Sequence, residues 1–445
     1  MQRIIDAVQK NRQLILDAER YIWANPETGF KEFKTNEYLI EKFTQLGYKL
    51  DLPKDLTGFC TTIDTGKKGP KLLILGELDS IICPSHPESD KQTGAVHSCG
   101  HNAQCAALLG IASALKEPNV LDGLCGQIVL CAVPAEELLE IEYRSSLIKQ
   151  GKIKYFGGKS EFLSRGLFDG VDIAFMVHTT AGANFSVNLG GVGCMAKSII
   201  YKGTASHAGG SPWLGKNALY AATCGLNACN AIRERFKESD IIRFHPIITS
   251  GGAMVNAIPE QATIESYVRG RTFDAIKKAN EQLNQALIGS ALSLGCNVEI
   301  LDNPGYAPYE NSPDMIELAK DALSQALPLE TFDVINQISS GSTDMGDLSC
   351  IMPIIHPYAP GAIGNSHGNN YYIKDANRAC VESAIWQLAM IKLLLSNNGE
   401  RANKIIATYK PLFKNKEEFL AYQDSIFSSG DRIIYKDNQA QVILK

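Results

Sequence analysis

The chain has 445 residues, 45% of them hydrophobic, enough to fill the cores of two domains. Its formal net charge of −5 and isoelectric point near 6.0 give no basic footprint for nucleic acid or an anionic membrane. No apolar run approaches the ~18 residues that span a bilayer, and the amphipathic start MQRIIDAVQKNRQLILDAERYIW lacks the apolar core of a signal peptide. A cytoplasmic protein with no nucleic-acid or membrane partner is expected.

In chain order, Lys71 to Gly76 reads as a buried strand that ends in Glu77-Leu78-Asp79. His97-Ser98-Cys99-Gly100-His101 places a thiol and two imidazoles within five positions, and a helical stretch runs from Asn102 to Lys116. Gln127 to Val133 is a second buried strand, delivering Pro134-Ala135-Glu136-Glu137, and Asp172 to Val177 is a third, ending in His178. Continuous apolar runs separated by helices argue for a mostly parallel sheet covered on both faces, the doubly wound α/β class. Ligands of such sheets gather at the carboxyl ends of the strands, so Asp79, Glu136, Glu137 and His178 should share one rim with Cys99 and His101.

Thiolate, imidazole and carboxylate are divalent-metal ligands, and a second carboxylate beside a ligating one suits proton transfer from water. Read singly, each residue has a plainer account. The Cys/His cluster could be part of a structural zinc knot, although no second close pair accompanies it. Glu136 and Glu137 could open a helix, where carboxylates are favoured. His178 could be a satisfied core histidine and His207 a solvated loop residue. His97 reads as neighbouring a site or solvated, His356 as a weak site candidate, and His86 and His245 as surface. Twelve scattered cysteines fit reduced, buried thiols better than a disulfide framework.

From Gly190 the pattern changes. Strand-like Gly191 to Gly203, a long helix Pro212 to Arg235, strands Ile241 to Ser250 and Ala262 to Thr272, a helix Phe273 to Leu294 and a short strand Asn297 to Leu301 make a split βαβ order. This predicts an α+β ferredoxin-like domain over residues 190–301, inserted into a discontinuous metal-binding domain of residues 1–189 and 302–445.

Asn25-Pro26-Glu27-Thr28-Gly29, Gly76-Glu77-Leu78-Asp79, His97 to Asn102, Pro134 to Glu137, Gly157-Gly158-Lys159, Gly166 to His178, Ser206-His207-Ala208-Gly209, Asn256-Ala257-Ile258-Pro259, Gly341 to Gly346 and His367 follow in one order. In that order they resemble the M20 metallopeptidase family, within it the amidohydrolase branch of aminoacylases, auxin-conjugate hydrolases and aminobenzoyl-glutamate hydrolase subunits. The resemblance implies two divalent ions, Zn²⁺ or Mn²⁺ with Co²⁺ or Ni²⁺ also compatible, held by Cys99, His101, Glu137, His178 and His367. It implies Glu136 as general base, Asp79 as the group orienting His101, and a homodimer in which His207 reaches the partner's site as an oxyanion donor, with Asn256 beside it on the substrate. The expected reaction is cleavage of an N-acyl amino acid or small dipeptide. A Cys99-nucleophile hydrolase and a catalytically silent small-ligand binder stand as alternatives. The chain departs from the branch at Ser80-Ile81-Ile82, where a proline is usual, and at 83–95 and 138–156, and these stretches beside the expected site bear on pocket shape and substrate identity more than on metal binding. Arg269 and Arg271 are candidates for meeting a substrate carboxylate.

Overall fold

The computed structural model describes residues 1–437 and 439–444. Its central sheet has five strands in the order Phe59–Asp64, Gln127–Val133, Lys71–Glu77, Ile173–Phe175, Ile354–Ile355. Only the first is antiparallel to its neighbour. The strands read as unbroken apolar runs because both faces are covered. Leu72, Ile74, Ile128 and Leu130 pack beneath the helices His101–Leu115, Pro313–Ala326 and Ser383–Leu395. Leu73, Leu75, Val129 and Cys131 point the other way, onto the helices Gly158–Ser164, Met345–Ser349 and Lys416–Ile426. Among the described residues no single helix is long and apolar enough to cross a membrane.

A second sheet forms the smaller unit. Asn297–Pro304, Gly193–Lys202 and Gln261–Gly270 lie side by side, all antiparallel, and the last also pairs with Arg243–Phe244 and Ile247–Ser250. The helices Ala218–Ala231 and Phe273–Ser293 share a core with this sheet, giving the ferredoxin-like arrangement. The expected long helix from Pro212 is broken instead: a short 3-10 turn at Pro212–Leu214 precedes Gly215, and Asn217 caps a new helix by accepting from the Tyr220 amide.

Two features depart from the expected partition at 301 and 302. Asp302 lies inside the strand Asn297–Pro304, where its carboxylate forms a buried ion pair with Lys197 of the neighbouring strand. Ser428–Asp431, far along the chain, adds a further antiparallel strand beyond Asn297–Pro304. A third sheet, built on Phe185–Gly191 with Phe332–Ser339 parallel to it and with Tyr309–Glu310 and Tyr358–Pro360 also paired to it, joins segments that carry no clear strand pattern in the sequence.

Candidate metal centre

The strands Lys71–Glu77 and Gln127–Val133 are adjacent and parallel, so Glu77, Asp79, Glu136 and Glu137 emerge at one rim. His101 is the first residue of its helix, and Gly100 before it has φ of 84°. A Cβ there would collide with the Thr179 and Tyr371 hydroxyls, so the close approach and the left-handed backbone both require glycine. His178 opens the short strand His178–Thr180, and His367 sits on a loop with φ of 63°, its amide donating to the Ser98 carbonyl at 2.8 Å.

The donor atoms converge. Cys99 Sγ lies 3.4 Å from His178 Nε2, and His367 Nε2 lies 2.9 Å from Glu137 Oε1. Two trios result, Cys99 with His101 and His178, and Cys99 with Glu137 and His367, the donor atoms of each within 4.8 Å of one another. Cys99, common to both trios, would be available to each of two divalent cations. Glu77, His101 and Glu136 form a third cluster, with His101 Nε2 3.2 Å from Glu77 and 3.9 Å from Glu136.

The ring orientations follow from what a carbonyl can do. His101 Nδ1 is 2.8 Å from the Asp79 carbonyl, and His178 Nδ1 is 2.8 Å from the Thr179 carbonyl. A carbonyl only accepts, so each Nδ1 carries the proton and each Nε2 offers a lone pair to the cluster. His101 Nε2 is buried without a hydrogen-bond partner, which fits a metal ligand. The Asp79 carboxylate meanwhile accepts the amides of Glu136 at 3.1 Å and Glu137 at 2.8 Å, so this one residue fixes both the imidazole and the paired glutamates.

Charge tells the same story. Burial, then Glu77 and Glu137, push the Glu136 carboxyl well above the usual carboxylate range. Burial also acts to raise Glu137, but the His367 and His101 imidazoles outweigh it and hold that carboxyl well down. Burial works to lower His101, yet Glu77 and Asp79 lift it to about 9. The carboxylates thus demand a positive charge at the cluster, and divalent cations meet that demand while accepting the same lone pairs. Behind the rim, Lys159 Nζ bonds Glu77 at 2.6 Å and also pairs with Asp344, all three fully buried. Sequence reasoning gives Glu77, Lys159 and Asp344 no role, and the lysine after paired glycines is the one signal that points to it.

A cavity of about 640 Å³ opens over the cluster, with Tyr267 and Arg269 of the smaller unit forming part of its wall. Among the described residues Arg269 is the one lysine or arginine lining it, and its Nε is buried without a partner there. Arg271 faces a different cavity. Leu138 and Leu139, which open the unusual stretch 138–156, line the site directly. His356 also lines it, buried against His178 and Tyr358, whereas His97 is fully buried. His86, expected at the surface, is buried: its Nδ1 accepts the Glu88 amide, leaving Nε2 to donate to the Tyr371 carbonyl at 3.0 Å. The departing stretch 83–95 thereby packs under the loop that carries His367.

His207 and Asn256 lie elsewhere, both exposed on the smaller unit, with His207 bridged to Ala257 and the Ala208 amide bonded to the Asn256 carbonyl. His207 Nδ1 accepts the amides of Gly209 and Gly210 at 3.1 and 2.9 Å, so its proton resides on Nε2. That is the opposite tautomer to His101 and His178, a hydrogen-bond donor aimed outward.

Residues 75–389 match the sequence profile of peptidase family M20/M25/M40. Human Xaa-Arg dipeptidase is 28% identical over 361 residues, which cover 76% of this chain and 74% of that protein. One of the subunits of Escherichia coli p-aminobenzoyl-glutamate hydrolase is 28% identical over 315 residues, covering 69% and 61%. Among solved structures, a Bacillus subtilis dinuclear metal binding peptidase superposes with a TM-score of 0.63 at 18% identity, covering 87% of this chain and 99% of that one. An aminobenzoyl-glutamate utilization protein from Klebsiella pneumoniae gives 0.64 at 19% identity, covering 86% and 97%. With the profile spanning more than half its length, this chain belongs to peptidase family M20/M25/M40, as a metal-dependent hydrolase of the amidohydrolase branch.

Proposed function

We propose that the chain hydrolyses the amide bond of an N-acyl amino acid or small dipeptide-like substrate. The observation that carries this reading is the pair of ligand trios sharing Cys99 beside the buried Glu136 carboxyl. Cys99, His101, His178, Glu137 and His367 would hold two divalent ions, Zn²⁺ or Mn²⁺ by donor chemistry with Co²⁺ and Ni²⁺ also compatible, whose Lewis acidity activates water and carbonyl when bound. Glu136 takes the proton of the attacking water and returns it to the leaving nitrogen, a return favoured by the burial and neighbouring carboxylates that raise its proton affinity. Asp79 keeps Glu136, Glu137 and His101 in register. Arg269, in the cavity wall with its Nε unpartnered among the described residues, receives the free carboxylate of the amino-acid product half. The names of the two curated relatives, a dipeptidase and a hydrolase of p-aminobenzoyl-glutamate, both specify an amide to an amino acid.

His207 completes the site from a second copy of the chain. Its outward Nε2–H would donate to the substrate carbonyl oxygen, Asn256 would lie beside it, and the smaller unit would serve as dimerisation lid. The free cysteines, ten of the twelve buried, fit a reducing cytoplasmic compartment. A Cys99 nucleophile is disfavoured, because burial and Glu137 push its thiol well up rather than down.

The test is metal content by mass spectrometry beside hydrolysis of a panel of N-acyl amino acids and dipeptides. Glu136→Gln should keep both ions and lose about 10²–10⁴-fold in kcat. Full turnover in that variant would remove Glu136 from the base role, and ligand binding without turnover in the wild type would favour the silent binder.

A further inference from the structure

Resting on that reading of Glu136 and Glu137, we infer that Arg144 is a positioning residue for both carboxylates, its guanidinium fixing the backbone bend that presents them. Arg144 lies on the helix Ile141–Lys149, within the stretch 138–156 that sets this chain apart from its branch. It is almost wholly buried, and among the described residues it forms no ion pair. Instead it binds carbonyls. Its Nη1 donates to Ala135 at 3.3 Å and to Phe156 at 2.5 Å, and its Nη2 donates to Glu137.

A buried cation that meets only backbone carbonyls is costly to keep, which asks what the carbonyls gain. Ala135 has φ of 57°, a left-handed conformation that a residue with a Cβ rarely adopts, and it directly precedes the two glutamates. The amides of this bend are gripped on one side, Ala135 by Glu32 at 2.8 Å and Glu136 and Glu137 by Asp79. Arg144 takes two of its carbonyls on the other. Carboxylates holding N–H groups against a guanidinium holding C=O groups lock the peptide planes of residues 135–137, and with them the directions in which the two side chains leave the chain.

The slot is shaped for that head group. The guanidinium carbon sits 5.4 Å from the centre of the Phe30 ring, and a Cβ on Gly29 would collide with Nη2. One planar fork reaches three carbonyls at once, where the ammonium of a lysine is a compact point charge without that fork. The neighbouring carbonyl, that of Leu138, accepts from Tyr267 of the smaller unit, so the brace continues across the cavity wall.

The experiment compares full-length Arg144→Met and Arg144→Lys with Ile141→Ala, a buried change on the same helix that packs against Leu138 and Phe156 and leaves the carbonyl contacts in place. The readouts are Zn²⁺ titration of the metal-stripped protein, the split between kcat and KM, and the melting temperature. Arg144→Met should weaken Zn²⁺ binding about 10–100-fold and lower kcat with KM little changed, as lost support of a ligand does. Arg144→Lys should recover only part of both, and Ile141→Ala should lower the melting temperature while Zn²⁺ affinity and kcat stay within about twofold. If Arg144→Met and Ile141→Ala instead shift Zn²⁺ affinity and kcat alike, Arg144 is a structural staple and the inference falls alone. A wild-type protein that takes up no Zn²⁺ would overturn the metal reading as well. Should Arg144→Met fail to fold, Arg144→Lys carries the test by the same criteria.

Discussion

The rim that gathers Cys99, His101, Glu137, His178 and His367 and the loop that carries His207 and Asn256 are built on opposite plans. At the rim, strand ends, buried carbonyls and the Asp79 carboxylate orient His101, His178 and Glu137, with the Nε2 atoms of the two imidazoles turned to the cluster. On the smaller unit, two loop amides turn His207 the other way, and its surroundings are open and apolar: Trp213 is 77% exposed, Tyr220 65% and Met254 61%. The rim is complete within one chain. The loop offers a donor with nothing to receive it, set in an apolar surface of the kind that marks an interface. The proposed chemistry draws on both, with the base and ligands from one copy and the oxyanion donor from another.

That division is broken most directly at His207. His207→Ala should lose about 10²–10³-fold in kcat while keeping its metal. Mixing it with Glu136→Gln should restore up to about a quarter of wild-type activity, since in an isologous dimer each mixed pair carries one intact combination. No recovery on mixing would place His207 within its own chain's site or outside the reaction. A smaller effect is expected at Arg269, where alanine should raise KM about 10–100-fold, with little change in kcat, for substrates bearing a free carboxylate. An amidated substrate should not distinguish the variant from wild type, and equal KM values for both substrates in wild type would remove the carboxylate contact.

The smallest effect sharpens the contrast between buried and exposed imidazoles. An unfolded histidine titrates near 6.5, whereas burial holds His97 down to about 3, and burial with the neighbouring His178 does the same to His356. Between those values the unfolded chain binds more protons, so their contribution to stability is intact above about 6.5 and is lost as pH falls toward 3. The slope is at most ~1.4 kcal/mol per pH unit for each imidazole. Urea midpoints from pH 7 to pH 4 should therefore fall less steeply for His356→Phe than for wild type, and parallel curves would contradict the assignment.

How much of this is legible in the sequence depends on whether a local pattern encodes it. The central sheet is readable because strands covered on both faces become continuous apolar runs, and the rim is readable because such strands end in their functional residues. The third sheet is not, since Phe185–Gly191 and Phe332–Ser339 pair across nearly 150 residues and the latter strand is largely exposed and without a clean alternation. Ser428–Asp431 has poor strand propensity and is held in its sheet by the backbone ladder and by the long-range ion pair of Asp431 with Lys202, neither of which a local pattern encodes. Arg144 and His86 reach carbonyls, which leave no mark in a sequence, and both lie in the stretches that depart from the family. The Arg269 and Arg271 pair separates because the strand Gln261–Gly270 ends between them, so the alternation that places Arg269 does not extend to Arg271.

The late strand Ser428–Asp431 has a mechanical consequence. Met195 stands opposite Pro304, and Asp302 stands opposite Ser428, so the three points where the backbone passes between the two units lie in a row across adjacent strands. At ~4.8 Å per strand the row is about 10 Å wide. Two such passages would leave the smaller unit free to swivel, whereas three in line behave as a strip: flexing about the strip needs only small dihedral changes at each crossing, while torsion across it must stretch the outer connections. Three connections in line therefore resist twisting of the smaller unit more than bending about the strip, which keeps Tyr267 and Arg269 in register with the rim.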